Sequence, residues 1–94
     1  MGEEKLFEEK VKRLLKLRGA WVLKTFSNGI QRSGIPDLLI CYKGRFIGIE
    51  LKAEKGKASK LQEHEIQSIK EAGGIALVLK PSKLDEFLKE IDQL

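Results

Sequence analysis

Residues 34–52 have the sequence GIPDLLICYKGRFIGIELK, in which two apolar runs are joined by the dipeptide Lys43-Gly44. Apolar runs of this length that are rich in Ile, Leu and aromatic residues are typical of β-strands, and a glycine-containing dipeptide between them is typical of a hairpin turn. The pattern predicts strands over residues 37–42 and 45–52, with Pro36 opening the first. These two strands are expected to form an antiparallel hairpin.

The sequence on either side of the hairpin extends this to an αβββαβα order. Apolar residues at helical spacing predict helices over residues 3–18, 59–72 and 82–92, and further apolar runs predict strands over residues 21–26 and 75–79. A polar, glycine-containing loop is expected over residues 27–34. The predicted fold class is therefore α/β, a mixed four-stranded sheet flanked by helices, with an extra C-terminal helix beyond the αβββαβ core.

The composition indicates one domain over residues 1–94 and excludes several classes of protein. The chain has 94 residues with 41% hydrophobic and 34% charged side chains, and it has one cysteine and one histidine. Because Cys41 is the one cysteine, an intrachain disulfide is excluded. One cysteine and one histidine, His64, are also too few ligands for a structural zinc site. No apolar run is long enough for a membrane span, and the acidic start is unlike a signal peptide. We therefore expect an intracellular, cytoplasmic protein, of cellular, viral or phage origin.

Positive charge is concentrated in the middle of the chain. Residues 24–60 carry eight basic and three acidic side chains, a local net charge of +5. A basic segment with embedded acids suits a polyanion whose phosphates need cationic contacts and a metal, although a solvated lysine-rich surface would give the same balance. The residues that we expect to bind nucleic acid are Lys24, Arg32, Ser33, Lys55, Lys57, Ser59 and Lys60.

Two acids are brought together by the predicted hairpin. A turn centred on Lys43-Gly44 places Asp37 opposite Glu50, and Lys52 projects from the same face of its strand as Glu50. Like charges on directly opposed strand residues repel, so the pair needs a compensating partner unless both side chains lie in water at frayed strand ends. Both strands are otherwise apolar, Cys41 and Phe46 included, so we expect them to be central and covered. Mg²⁺ prefers oxygen ligands, usually one or two carboxylates completed by water and phosphate. The expected metal ligands are Asp37, Glu50 and the backbone carbonyl of Leu51.

The same residues carry a family resemblance. The PD dipeptide at Pro36-Asp37 followed by Glu50-x-Lys52 resembles the PD-(D/E)xK nuclease superfamily. The ordered set is longer and resembles the VRR-NUC (virus-type replication and repair nuclease) domain over about residues 4–80. Its members are Glu8, Gly34, Pro36-Asp37, Glu50-x-Lys52, Gly56 and Ser59-x-x-Gln62.

This resemblance implies a restriction-endonuclease-like fold and a metal-dependent DNA endonuclease. It implies that Asp37 and Glu50 bind Mg²⁺ or Mn²⁺, that Lys52 serves the attacking water, and that Glu8 and Gln62 belong to the catalytic site. Stand-alone relatives resemble Holliday-junction resolvases, so branched DNA and a homodimer are expected, with no small-molecule cofactor. In the predicted dimer, part of the first or last helix, or the Trp21 region, packs against its copy.

Three assignments have competing interpretations. Glu8 borders the apolar stripe of its helix and is preferred to Glu4 as the first-helix acid, but a solvated helix face would look similar. Gln62 either completes a capping box with Ser59 or turns its amide towards the sheet. His64 falls on the opposite side of that helix and is expected at the surface.

Two other classes of function remain open to test. A non-catalytic nucleic-acid-binding domain would retain the basic loops with the acids as remnants, and it would bind DNA with or without Mg²⁺. A small interaction protein with a fortuitous motif would show neither metal binding nor salt-dependent affinity for nucleic acid.

Overall fold

A computed structural model describes residues 2–26 and 32–94. The predicted loop at residues 27–34 lies largely outside these ranges. The αβββαβα order is confirmed. The elements are α1 (Glu3–Leu17), β1 (Trp21–Lys24), β2 (Leu38–Tyr42), β3 (Arg45–Leu51), α2 (Lys60–Glu71), β4 (Ile75–Leu79) and α3 (Leu84–Asp92), with a short 3₁₀ turn (Pro81–Lys83) before α3.

The four strands form one mixed sheet in the order β1-β2-β3-β4. The pairs β1–β2 and β2–β3 are antiparallel, and β4 runs parallel to β3. Tyr42 pairs with Arg45, which is the predicted register. Lys43 and Gly44 both have positive φ angles, 51° and 78°, as a two-residue hairpin turn of the type that matches strand twist requires. The turn therefore fixes which residues of β2 and β3 face each other.

The hydrophobic core lies on one face of the sheet, beneath α1 and α3. Leu38, Ile40, Ile47 and Ile49 from the two central strands are at most 1% exposed. Helix α1 contributes Val11 and Leu15 to the same cluster, and α3 contributes Leu84, Phe87 and Ile91. The apolar stripes of both helices thus pack mainly inside the protomer, and a dimer contact through part of either helix stays a prediction.

Helix α2 packs on the opposite face, over β3 and β4. A Cβ atom added to Gly48 would lie 3.0 Å from Ile69 Cδ1 and 3.1 Å from Pro36 Cγ. The missing side chain therefore lets α2 and the Pro36 loop approach the sheet closely.

The rest of that face is exposed, which corrects the expectation that both central strands are fully covered. Trp21, Leu23 and Phe46 are 58%, 46% and 44% exposed, and Cys41, which pairs with both Trp21 and Phe46, is exposed as well. We call these four residues the exposed sheet face. They are uncovered because α2 packs mainly over β3 and β4.

None of the helices in the described ranges has the length and apolar composition that crossing a bilayer requires.

Candidate active site

Asp37 and Glu50 lie next to each other where β2 begins and β3 ends. The pair Leu38–Ile49 is the last in the ladder, and Asp37 and Glu50 follow it one step further in register. The Oδ2 atom of Asp37 accepts a 3.0 Å hydrogen bond from the amide of Leu51. This bond directs the Asp37 carboxylate across the hairpin towards Glu50, as the sequence predicted.

The carboxylate of Glu50 is buried with one oxygen unpaired. Its side chain is only 3% exposed. Oε2 accepts a 2.8 Å hydrogen bond from Gln62 Nε2 and lies 3.6 Å from Lys52 Nζ, whereas Oε1 has no hydrogen-bond partner in the part of the chain that the structure describes. Burial, followed by the charge of Asp37, raises the pKa of Glu50 to about 7, and the charge of Lys52 partly opposes this shift.

Lys52 completes the group that the hairpin brings together. Its amide donates a 3.1 Å hydrogen bond to the carbonyl of Leu79, which anchors the residue beside the end of β4. Its side chain is one-quarter exposed, so the ammonium group faces both Glu50 and solvent. We call the end of the sheet formed by Asp37, Glu50 and Lys52 the acidic end.

Gln62 satisfies both of its competing interpretations. Its side-chain Oε1 accepts a 2.8 Å hydrogen bond from the backbone amide of Ser59. The backbone amide of Gln62 donates to Ser59 Oγ across 3.1 Å, which completes a capping box. The Nε2 atom of the same side chain is free to donate to Glu50. A single amide thus joins the first turn of α2 to the buried acid.

The loop that carries Asp37 is docked on the same helix. Gly34 has a φ of +90°, and a Cβ atom built there would lie 2.5 Å from the carbonyl oxygen of Leu61. Both the backbone angle and the close approach require glycine. Arg32, at the start of the described loop, donates a 3.0 Å hydrogen bond to the buried carboxylate of Glu65.

Glu8 is held by lysines and does not join the pair of acids. Its side chain is 12% exposed and lies 3.2 Å from Lys5, 3.4 Å from Lys24 and 3.6 Å from Lys12. Burial acts to raise the pKa of Glu8, but the hydrogen bond from Lys5 and the charge of Lys24 outweigh it, so the pKa lies below its usual value. Within residues 2–26 and 32–94, no three acidic, cysteine or histidine side chains are grouped to share a metal ion. Of the two alternatives, Glu8 is buried and Glu4 is exposed.

The residues predicted to bind nucleic acid lie mostly on exposed positions around the acidic end. Arg32 keeps 74% of its side chain exposed despite the bond to Glu65, whereas Lys24 is partly buried against Glu8. The remaining five are all exposed, in the loop before Asp37 and in the segment from Lys55 to the start of α2: Ser33, Lys55, Lys57, Ser59 and Lys60. His64 is exposed on α2, as predicted.

The chemistry of the acidic end fits a hard divalent cation. Two carboxylates, one with an unpaired and buried oxygen, are the ligands that Mg²⁺ usually takes from a protein when water and phosphate supply the others. A cation bound there would also oppose the burial and the repulsion from Asp37 that together raise the pKa of Glu50. Leu51 contacts the site through its amide, and the ligand role of its carbonyl stays a prediction.

Sequence reasoning missed three supporting residues. Thr25 is buried, and its hydroxyl donates a 2.8 Å hydrogen bond to the carbonyl of Pro36. Glu65 anchors Arg32, as described above. Glu54 accepts hydrogen bonds from the amide and the hydroxyl of Ser82, which ties the lysine-containing loop to the turn before α3. None of these partners shares a spacing pattern in the sequence that would have revealed the contact.

Comparison with known proteins places the fold among nuclease-type domains. The family model of the archaeal Holliday junction resolvase (Hjc) matches residues 3–91 of this chain. A solved structure of a VRR_NUC domain superposes with a TM-score of 0.74 at 26% sequence identity, covering 100% of this chain and 95% of that one. These findings confirm the predicted VRR-NUC-like, restriction-endonuclease-like fold.

A second solved structure is similar in fold alone. The 1.6 Å structure of Hjc from Archaeoglobus fulgidus, a Holliday junction resolvase from an archaeal hyperthermophile, superposes with a TM-score of 0.60 at 20% identity. The matched region covers 80% of this chain and 66% of that chain. No curated protein sequence matches this chain.

Proposed function

This chain belongs to the archaeal Holliday junction resolvase family, and we propose that it is an Mg²⁺- or Mn²⁺-dependent endonuclease that hydrolyses phosphodiester bonds in branched DNA. The metal dependence is argued from the buried Oε1 of Glu50 beside Asp37, which has no hydrogen-bond partner among residues 2–26 and 32–94. An anionic pair that the protein leaves incompletely neutralised in its interior is suited to a cation supplied from solution. We assign the nuclease activity to residues 1–94 as one domain in an intracellular protein.

Asp37 and Glu50 would hold the metal, with the Leu51 carbonyl as a further ligand. When bound, the cation would supply Lewis acidity that stabilises negative charge on the phosphate. Lys52 lies on the solvent side of Glu50 and orients the attacking water and assists its deprotonation. Hydrolysis leaves 5′-phosphate and 3′-hydroxyl ends.

Gln62 and Glu8 support this chemistry from two helices. Gln62 fixes the orientation of the Glu50 carboxylate through its 2.8 Å hydrogen bond, which leaves Oε1 for the metal. Glu8 holds Lys24 at the end of β1 through an ion pair. The exposed basic residues around the acidic end, Arg32, Lys55, Lys57 and Lys60, contact phosphates on either side of the cut, with Ser33 and Ser59 as neutral donors.

We further propose a two-fold homodimer that buries the exposed sheet face. The uncovered parts of Trp21, Leu23 and Phe46 amount to about 300 Å² of apolar surface, given ordinary side-chain areas. A standard interface buries about 800 Å² per partner around an apolar centre, so this area suffices for the centre but not for the rim. Isologous pairing would give one assembly two acidic ends, one for each opposing strand of a junction.

A cleavage panel tests the proposal. A four-way junction, a flap, a duplex and a single strand of matched sequence should each be incubated with the protein in Mg²⁺, Mn²⁺ or EDTA. We expect cleavage of branched substrates with either metal and none in EDTA. Retention of junctions in all three conditions without cleavage would instead identify a non-catalytic nucleic-acid-binding domain.

A further inference from the structure

Phe26 is an exposed aromatic residue beside the acidic end of the sheet. It follows β1 by two residues and is 67% exposed. Trp21 and Leu23 extend the apolar surface of the exposed sheet face, but Phe26 lies past the end of the strand. The burial of a hydrophobic core therefore does not account for its position, and neither does the proposed dimer contact.

The backbone on which Phe26 sits is fixed to the backbone of the catalytic loop. The amide of Thr25 donates a 2.9 Å hydrogen bond to the carbonyl of Asp37. The Thr25 hydroxyl donates to the carbonyls of Pro36 and Asp37, at 2.8 and 3.2 Å. These three bonds place the residue that precedes Phe26 directly against the residue that carries the metal-binding carboxylate.

The ring itself is flanked by a cation. Lys24 Nζ lies 5.5 Å from the centroid of the Phe26 ring and 3.4 Å from Glu8 Oε1. A cation over a ring face restrains the ring and adds a positive charge beside it. The surroundings of Phe26 therefore combine a flat apolar surface with a basic group that can contact phosphate.

We propose that Phe26 is a stacking platform for an unpaired or unstacked nucleobase next to the scissile phosphate. This inference rests on the proposed nuclease function. Bases within a duplex are already stacked, whereas bases at a branch point or in a single strand have a free face. Aromatic side chains beside a positively charged groove bind such bases with little regard to sequence. Phe26 would thus favour branched over continuous DNA while Asp37, Glu50 and Lys52 perform the cleavage.

A thermodynamic cycle tests the contact in EDTA, where binding occurs without cleavage. Dissociation constants are measured for wild type and Phe26→Leu on a four-way junction, and on the same junction with an abasic nucleotide at each position flanking the cut. We expect Phe26→Leu alone, or the abasic nucleotide at one position alone, to weaken binding about tenfold. Combining the substitution with the abasic nucleotide should weaken binding little more than either change does alone.

Matched variants separate stacking from a structural role. Phe26→Trp keeps an aromatic face and should bind the intact junction as wild type does. Leu17→Ala, which shortens another exposed apolar residue at the far end of α1, should not alter binding to either junction. With Mg²⁺, Phe26→Leu should lower cleavage of the intact junction but not of the junction whose abasic nucleotide already removes the stacked base.

The outcomes distinguish this inference from the nuclease assignment. If wild type cuts the junction and Phe26→Leu binds and cuts every substrate equally well, the stacking role is wrong and the nuclease stands. Independent losses from the substitution and the abasic nucleotides would also overturn it, because they would show that the ring and the missing base do not touch. A wild-type protein that neither binds nor cuts DNA would overturn both.

Discussion

Gln62 Nε2 donates a 2.8 Å hydrogen bond to Glu50 Oε2, while the other end of the same amide accepts from the backbone of Ser59. One side chain therefore caps the N-terminus of α2 and orients the buried carboxylate of Glu50. Because the two hydrogen bonds use different atoms, substitution can remove them separately.

Gln62→Glu should keep the capping box, since a carboxylate also accepts from the N-cap amide, but it removes the donor to Glu50 and adds a like charge. We expect a folded protein whose cleavage falls at least tenfold. Gly73→Ala is the matched control. It puts a side chain at a φ of 98° at the other end of α2, costs about 1 kcal/mol of stability, and should leave cleavage near wild type below its melting temperature. Equal losses of activity in both variants would mean that the loss follows from a destabilised helix and not from the missing bond to Glu50.

Asp37→Asn, Glu50→Gln and Lys52→Ala should each reduce cleavage by about 100-fold or more, because each removes a charge from the acidic end. The side chains are close in size to the originals in the first two, so circular dichroism and melting should show an intact fold. Junction binding in EDTA should persist. Lys43→Ala, at the other end of the hairpin, serves as the control. If one of the three variants at the acidic end still cuts at the wild-type rate, the residue that it replaces has no part in the mechanism.

The stability of the metal-free protein should fall as the pH rises through neutrality. The pKa of Glu50 is raised to about 7 in the folded protein, above the value of about 4.3 for glutamate in an unfolded chain. The folded state therefore binds the proton of Glu50 more tightly than the unfolded chain does. The resulting contribution to the free energy of unfolding is complete below about pH 4 and lost above pH 7. Between pH 5 and 8, the free energy of unfolding of wild type, measured in urea, should fall by roughly 2 kcal/mol relative to that of Glu50→Gln. Glu63→Gln, an exposed change on α2, should follow wild type; a constant difference between wild type and Glu50→Gln would refute the shift.

Divalent metal should stabilise the protein, because it binds the folded pair of carboxylates and not the unfolded chain. We expect millimolar Mg²⁺ or Mn²⁺ to raise the melting temperature of wild type at pH 8, and to raise it less at pH 6, where Glu50 is mostly protonated. Differential scanning fluorimetry measures both. Glu50→Gln should respond weakly at either pH, and a wild-type melting temperature that Mg²⁺ leaves unchanged would indicate that Lys52 already compensates the acids.

Light scattering at micromolar concentration should give twice the 10.6 kDa mass of one chain. Trp21→Glu places a charge in the exposed sheet face and should shift the mass towards the monomer. Leu17→Glu adds the same charge at another exposed position, 75% exposed on α1, and should leave the dimer intact. A monomeric wild type would overturn the dimer while leaving the nuclease assignment in place.

The hairpin and its acids could be predicted because their geometry is local. Lys43-Gly44 sets the turn, and strand alternation then places Asp37 beside Glu50 without knowledge of any other element. Long-range contacts could not be predicted in this way, since Arg32 and Glu65 are 33 residues apart and meet only because α2 packs against the loop. The same limit explains the errors at Phe46 and Cys41. An apolar run shows that a strand prefers burial, but how far a helix extends across the sheet depends on where α2 docks.

The contact between Glu54 and Ser82 has a consequence for the entropy of DNA binding. The basic loop that carries Lys55 and Lys57 is fastened near one end by Glu54 on the turn before α3, and at the other end by the capping box of α2. A free loop would lose conformational freedom when it met a phosphate backbone, and affinity would fall by that cost. Here folding has already restricted the chain, so in the proposed complex the two lysines would meet the DNA with only their own side chains left to order.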